Sequence, residues 1–419
     1  MRNPSVEQDE WRSLGPALAL LAISLLINYV DRGNLSIAAP ILKDELRISG
    51  TQLGILFSAF FYTYTFFIFV SGWLVDRFNV NWVLALGFAL WSLATAGTGF
   101  VRGFQTLLAA RLLLGIGESV AFPAMSKILG RGLPETRRGF ANGIVIGAMK
   151  SGPAVGTLGA GLLMASYGWR PVFVGIGLVS LLWIPPWLKW CPFDRGEAPI
   201  GTPTASTAQI LARRSFWGCT LGHFGNNYIL YFLVSWLPFY LVHEHRLTMQ
   251  SMAKAASAYY LLDAASALAT GWFTDFCIRS GRSVTAVRKT AMGVGHCASA
   301  IGLAGCAAAS QEAYLPWLAV IALGSGMAGS GVFAFAQTLA GPAAVGRWTG
   351  LQNGSANVAG IVGPALTGYL FDRTEHFTLP LAITAAVSLV AGLSWVFLVR
   401  EVKPVNWTES SPAELSREA

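Results

Sequence analysis

Of the 419 residues, 54% are hydrophobic and only 12% are charged, about half the charged share of an average soluble domain. Apolar runs of about 20 residues, long enough to cross hydrocarbon, recur along the chain, which excludes a soluble globular protein and predicts an integral membrane protein. The net charge of +8 would suit nucleic acid, but no stretch interleaves a basic stripe with aromatics, so that partner is excluded as well.

Residues 1–13 are polar and mixed in charge, without the short apolar core and small-residue cleavage site of a signal, so the first span is expected to stay. Helices are predicted near 16–39, 52–74, 82–101, 106–129, 138–167 and 169–190. Residues 192–214, with Pro, Gly, Ser and Thr interleaved, cannot span hydrocarbon and read as the one long linker. Six more helices are predicted near 216–242, 251–276, 287–310, 315–339, 348–371 and 379–399. The expected fold class is therefore an all-α integral membrane protein with twelve transmembrane helices in two six-helix bundles. Its domains would be an N-terminal bundle at 1–190, a cytoplasmic linker at 191–214 and a C-terminal bundle at 215–419 with a short cytoplasmic tail.

With both termini placed inside, 19 Lys and Arg fall on the cytoplasmic side, 7 outside and 3 within spans, the asymmetry that fixes orientation. Cys191, Cys219, Cys277, Cys297 and Cys306 show no metal spacing and the five histidines are scattered, so neither metal nor cofactor is expected.

The ionisable residues inside the apolar runs carry the functional argument, because each costs about 2.5–3.5 kcal/mol on insertion scales and is usually kept for a pathway or a proton relay. Asp31 and Arg32 sit side by side in the first run; were they only to pair with each other at a helix end, they would be structural. Arg111 and Glu118 lie seven residues apart, two helical turns, so they project from one stripe with the shallow Gly115 between them. Both are expected to reach a cavity, the alternative being an ion pair that only locks one helix to another. Lys150 falls about 18 Å into its helix, too deep to snorkel. It would hold an anion, or else tie to Asp31 or Glu118. Asp263 lies 12 residues before Asp275, also at mid-span, as a third titrating group, a cation ligand with Asn or Ser oxygens, a partner of Lys150, or a carboxyl bonded to Ser or Tyr.

The two halves echo each other: Gly72-Trp-Leu-Val-Asp76-Arg77 closes the second helix and Gly271-Trp-Phe-Thr-Asp275 the eighth. Six-helix repeats about an axis along the membrane normal are one architecture of secondary transporters. Further signatures are Asn28-Tyr-Val-Asp-Arg32 in helix 1, Arg111 through Glu118 to Phe122-Pro123-Ala124 in helix 4, Gly168-Trp-Arg170 after helix 5 and Trp236 to Leu241 in helix 7. In this order they resemble the major facilitator superfamily, and more closely its anion:cation symporter family, over nearly the whole chain. The loop after helix 2 departs from the family at Asn79, Asn81 and Trp82, and Ile68 and Val70 replace a Gln and a Pro in helix 2.

The resemblance implies a carrier of organic anions, as in family members that move galactonate, hexuronates, glucarate, sialic acid, glutamate or phosphate. It implies that Asp31 and Glu118 are the protonation sites. Arg32, Arg111 and Lys150 would hold a carboxylate, which Arg can grip with two parallel N–H groups. Tyr29, Tyr64, Asn353 and Asn357, and with less support from the resemblance His223, Asn226, Asn227, Tyr228 and Tyr231, would serve substrate hydroxyls; each has an alternative as interhelical glue. His223 reads as an interior histidine rather than a proton carrier. Asp76, Arg77 and Asp275 would gate as cytoplasmic latches, and Arg137-Arg138 and Arg288-Lys289 would only set topology.

The expectation is a monomeric proton-coupled symporter in the bacterial inner membrane, importing a sugar acid or small monocarboxylate by alternating access, with the anion, protons and the bilayer as partners. Competing readings are a sodium-coupled or exchange carrier of organic anions or phosphate, and a drug-type antiporter, since Ser151-Gly152-Pro153 and Gly156 partly match its helix 5 motif. A membrane enzyme or sensor would need a nucleophile with its base, a metal cluster or a soluble output domain, and none is legible.

Overall fold

The computed structural model describes residues 4–132, 135–191, 205–308 and 313–407. All regular structure among them is helical. In chain order the helices are α1 Pro4–Glu45, α2 Gly50–Arg77, α3 Val80–Thr98, α4 Phe104–Glu118, α5 Ala121–Gly132, α6 Glu135–Tyr167, α7 Trp169–Ser180 and α8 Ile184–Trp190. They continue as α9 Thr207–Leu211, α10 Arg214–His243, α11 Met249–Arg279, α12 Val284–Ala308, α13 Tyr314–Ala356, α14 Val358–Thr374 and α15 Thr378–Leu393. Among the described residues eight stretches are each long and apolar enough to cross a membrane.

Several predicted helices are more broken, or more continuous, than their hydropathy suggests. The fourth parts at Ser119 between α4 and α5, because Pro123 lacks the N–H that the Ser119 carbonyl would need. The sixth passes through a 3-10 turn at Leu181–Trp183 ahead of Pro185 and Pro186. The tenth and eleventh join in α13, which swings through a left-handed φ of 63° at Gly341, and the eleventh parts again at Asn357. Among the described residues, counting each parted or joined piece with its run gives twelve helical runs, consistent with the expected architecture. The linker also holds an unforeseen short helix, α9, opened by Ser206 and Gln209 capping each other's backbone. Residues 192–204 of that linker lie outside the described residues.

The chain divides into two units, one made of Met1–Pro199 with Val234–Ser257, the other of Ile200–Leu233 with Ala258–Ala419. In the first, α1 runs along α6, α2 and α3 both pack on α4, and α3 packs on α7. In the second, α12 packs on both α13 and α15. So in each unit the third span of the repeat lies against the fourth and the sixth. The close contact is made by glycines in both: a Cβ on Gly117 would stand 2.9 Å from the Gly87 carbonyl, and one on Gly295 would stand 2.8 Å from the Gly324 carbonyl. The packing of the third span is thus repeated between the two units.

Candidate substrate and proton site

The first unit gathers its ionisable groups where α1, α2, α3 and α4 meet. Along α1, Asn28, Asp31, Arg32 and Asn34 are all buried, and on α4 so are Arg111 and Glu118. Arg32 donates from Nε to Glu118 Oε2 at 2.7 Å, joining α1 to α4. Its guanidinium also lies over three rings, Tyr29 and Tyr64 at 4.6 Å and Phe60 at 4.9 Å. Asp31 points elsewhere, since neighbours on a helix are about 100° apart. Its Oδ1 accepts from Asn34 Nδ2 at 3.1 Å, with Thr95 of α3 beside the carboxyl. The purely structural alternative, Asp31 paired to Arg32 at a helix end, does not describe this geometry.

Arg111 does not bond its neighbour on the stripe. It donates from Nε to the Leu56 carbonyl at 3.3 Å and covers the Phe60 ring at 5.4 Å. Phe60 and Tyr64, stacked at 5.2 Å, therefore separate and orient the two arginines from α2. Gly115 makes this possible, because a Cβ there would strike the Phe60 carbonyl and the Thr63 hydroxyl of α2. Thr63 in turn donates to the Leu112 carbonyl at 2.8 Å. Lys150 is half-buried on α6, two residues before Gly152, whose missing Cβ would lie 2.6 Å from Cβ of Tyr29. Buried ion pairs contribute little net stability, since desolvation offsets their attraction, so this cluster calls for a functional explanation.

The second unit holds a neutral row. His223, Asn227 and Tyr231 follow one another at four-residue spacing on one face of α10, and all three are buried. Tyr231 donates to Asn357 Oδ1 at 2.6 Å, while Asn357 Nδ2 donates to the Asn353 carbonyl at 2.9 Å. His223 meets Gln352 at 3.3 Å, and Gln352 Oε1 accepts from Trp348 Nε1 at 2.9 Å. Tyr228 is buried beside Gly363, and Asn226 is half-buried. Sequence reading named the asparagines and missed Gln352 and Trp348. Their signal was a four-residue step on a helix already carrying Asn353 and Asn357.

Asp263, half-buried on α11, accepts from Ser325 Oγ at 2.6 Å, and Ser325 also meets the Tyr259 hydroxyl at 3.1 Å. Of the predicted latches, the Asp76 side chain lies outside the described residues, while Arg77 and Asp275 are exposed at the ends of α2 and α11. Arg288 does more than set topology, as it donates to the Ala334 carbonyl at 3.0 Å and to the Thr338 hydroxyl, tying α12 to α13 with Asp275 near its charge.

Three comparisons bear on these features. The family model of the Major Facilitator Superfamily matches residues 21–282 and 243–417. The hexuronate transporter of Bacillus subtilis (strain 168) is 30% identical over 415 residues, 95% of this chain and 98% of that one. The probable L-galactonate transporter of Escherichia coli (strain K12) is 28% identical, over 93% of this chain and 90% of that one. In fold, the chain matches a crystal structure of a bacterial homologue of the human lysosomal transporter Spinster, inward-facing and occupied. The TM-score is 0.74 and the identity 18%, covering 91% of this chain and 94% of that one. Matched by the family model over most of its length, this chain belongs to the Major Facilitator Superfamily and is a multi-pass membrane transporter, not an enzyme.

Proposed function

We propose that the protein is a proton-coupled symporter that brings an organic anion, a sugar acid or small monocarboxylate, into the cell across the inner membrane, with both termini cytoplasmic. The observation that carries this is the buried pair of Arg32 and Glu118 at 2.7 Å, with Asp31 at the next position on α1. A carboxylate in low dielectric is tolerated while a cation neutralises it; once protonated it no longer needs that cation. A proton arriving at Glu118 therefore frees the Arg32 guanidinium for a cargo carboxylate, with Asp31 taking a second proton and Arg111 and Lys150 adding positive field. Tyr29, Tyr64, His223, Asn227, Tyr231, Asn353 and Asn357 serve the cargo's hydroxyls, and Asp76, Arg77 and Asp275 latch the cytoplasmic side. Hexuronate and L-galactonate, which the names of the two relatives carry, are acids of this kind.

The test is uptake and counterflow in proteoliposomes with labelled sugar acids, lactate, glutamate, sialic acid and phosphate. Accumulation of one acid under an inward proton gradient, abolished by a protonophore, is the expected result. Exchange indifferent to pH would overturn the proton-coupled reading. Sodium coupling is the second reading, supported by the oxygens that Asp263, Ser325 and Tyr259 bring together, and sodium-dependent uptake without pH dependence would establish it.

A further inference from the structure

Hydrogen-bond direction in the second unit fixes the state of His223. The indole N–H of Trp348 can only donate, so the Gln352 oxygen 2.9 Å away is identified as oxygen and the other end of that amide is the NH2 group. This NH2 group faces His223 Nδ1 at 3.3 Å and, as a donor, needs an acceptor there. An imidazole that accepts at Nδ1 carries its one proton on Nε2. An imidazolium, with protons on both nitrogens, would set N–H against N–H inside an interior where Trp348, Gln352 and His223 are all buried. The third neighbour, the Phe333 ring at 5.5 Å and nearly perpendicular, offers no charge to stabilise one. The same logic holds at the other end of the row. The Asn353 carbonyl can only accept, so Asn357 places its nitrogen there and its oxygen toward Tyr231, which must donate.

We propose that Trp348 and Gln352 are positioning residues that hold His223 as a neutral imidazole with its proton on Nε2, a fixed donor for an acceptor oxygen of the cargo. This rests on the proposed function in placing His223 on the cargo, but the tautomer itself does not. The consequence is selectivity for hydroxyl or carboxylate oxygens over groups that only donate. It also removes His223 from the proton path.

The test reads the tautomer and the transport separately. The full chain, labelled with 15N-histidine and reconstituted in nanodiscs, is examined by NMR at neutral pH, with His223 assigned by its loss in His223→Gln. The expected spectrum has a pyrrole-type Nε2 and a pyridine-type Nδ1; a protonated Nδ1 in the wild type would overturn the proposal whatever the cargo. In Gln352→Glu the carboxylate accepts from Trp348 and from Nδ1–H, so the proton moves to Nδ1 and one donor to the cargo is lost. The expected kinetic effect is a rise in KM of about tenfold, with Vmax changed much less. A shifted tautomer with an unchanged KM would overturn the cargo contact while leaving the symporter reading intact. Failure of the wild type to carry any anion would sink the symporter reading and leave the tautomer result standing.

Discussion

The interiors of the two units carry opposite kinds of polarity. The first buries Asp31, Arg32, Arg111 and Glu118, four ionisable groups on α1 and α4, of which Arg32 and Glu118 bond each other. The second buries an imidazole, amides and phenols in the row from His223 to Asn357, with Asp263 apart from that row on α11. A charge in low dielectric changes its energy by several kcal/mol when a proton arrives or leaves, whereas a neutral interhelical hydrogen bond in a membrane is worth about 0.6 kcal/mol on average. On the proposed function, the charge cluster of the first unit has the energy scale to couple a proton to transport. The neutral row of the second would tell one hydroxylated cargo from another.

The largest effect should follow from removing Glu118. Glu118→Ala strands the Arg32 charge in the interior and should destabilise the protein by about 3–5 kcal/mol, read as a lowered thermal midpoint. Glu118→Gln keeps a hydrogen-bond acceptor for Arg32 but cannot titrate; it should retain counterflow and lose uphill accumulation. Full uphill uptake by this variant would move the coupling away from the pair.

A smaller effect is expected from carrying charge into the neutral row. Asn357→Asp sets a carboxylate where Tyr231 now donates to an amide, and should raise KM for an anionic cargo by about tenfold through like-charge repulsion. An unchanged KM would place the anion far from Asn357. The smallest is Tyr231→Phe, which removes one neutral bond and should raise KM about threefold while leaving the accumulation ratio intact. A changed ratio would show that the second unit takes part in coupling after all.

The ionisable cluster was legible because a charge inside an apolar run is conspicuous, as Asp31, Arg32 and Lys150 show. Which charge meets which was not. The seven-residue step from Arg111 to Glu118 places both on one stripe, yet Glu118 takes Arg32 from 86 residues away, and Arg111 turns to a carbonyl of α2. Partner choice depends on how closely α2 and α4 approach at Phe60 and Gly115, which is a tertiary property. The neutral row was half legible. Asn353 and Asn357 stand out among Gly, Ala and Val, but Gln352 acquires meaning only through Trp348 and His223, the latter 129 residues earlier. The run lengths were readable from hydropathy, while the break at Ser119 and the joining of two spans through Gly341 depend on single backbone groups that hydropathy averages away.

The most direct test of the division between the units is cargo-induced proton movement. Purified protein in liposomes containing a pH-sensitive dye receives the transported acid with no gradient imposed, for the wild type, Glu118→Gln and Tyr231→Phe. The lumen should acidify with cargo entry in the wild type and, more slowly, in Tyr231→Phe, and should stay at constant pH in Glu118→Gln while labelled cargo still exchanges. Proton movement undiminished in Glu118→Gln, or wild-type cargo entry without any, would contradict the assignment of coupling to Arg32 and Glu118.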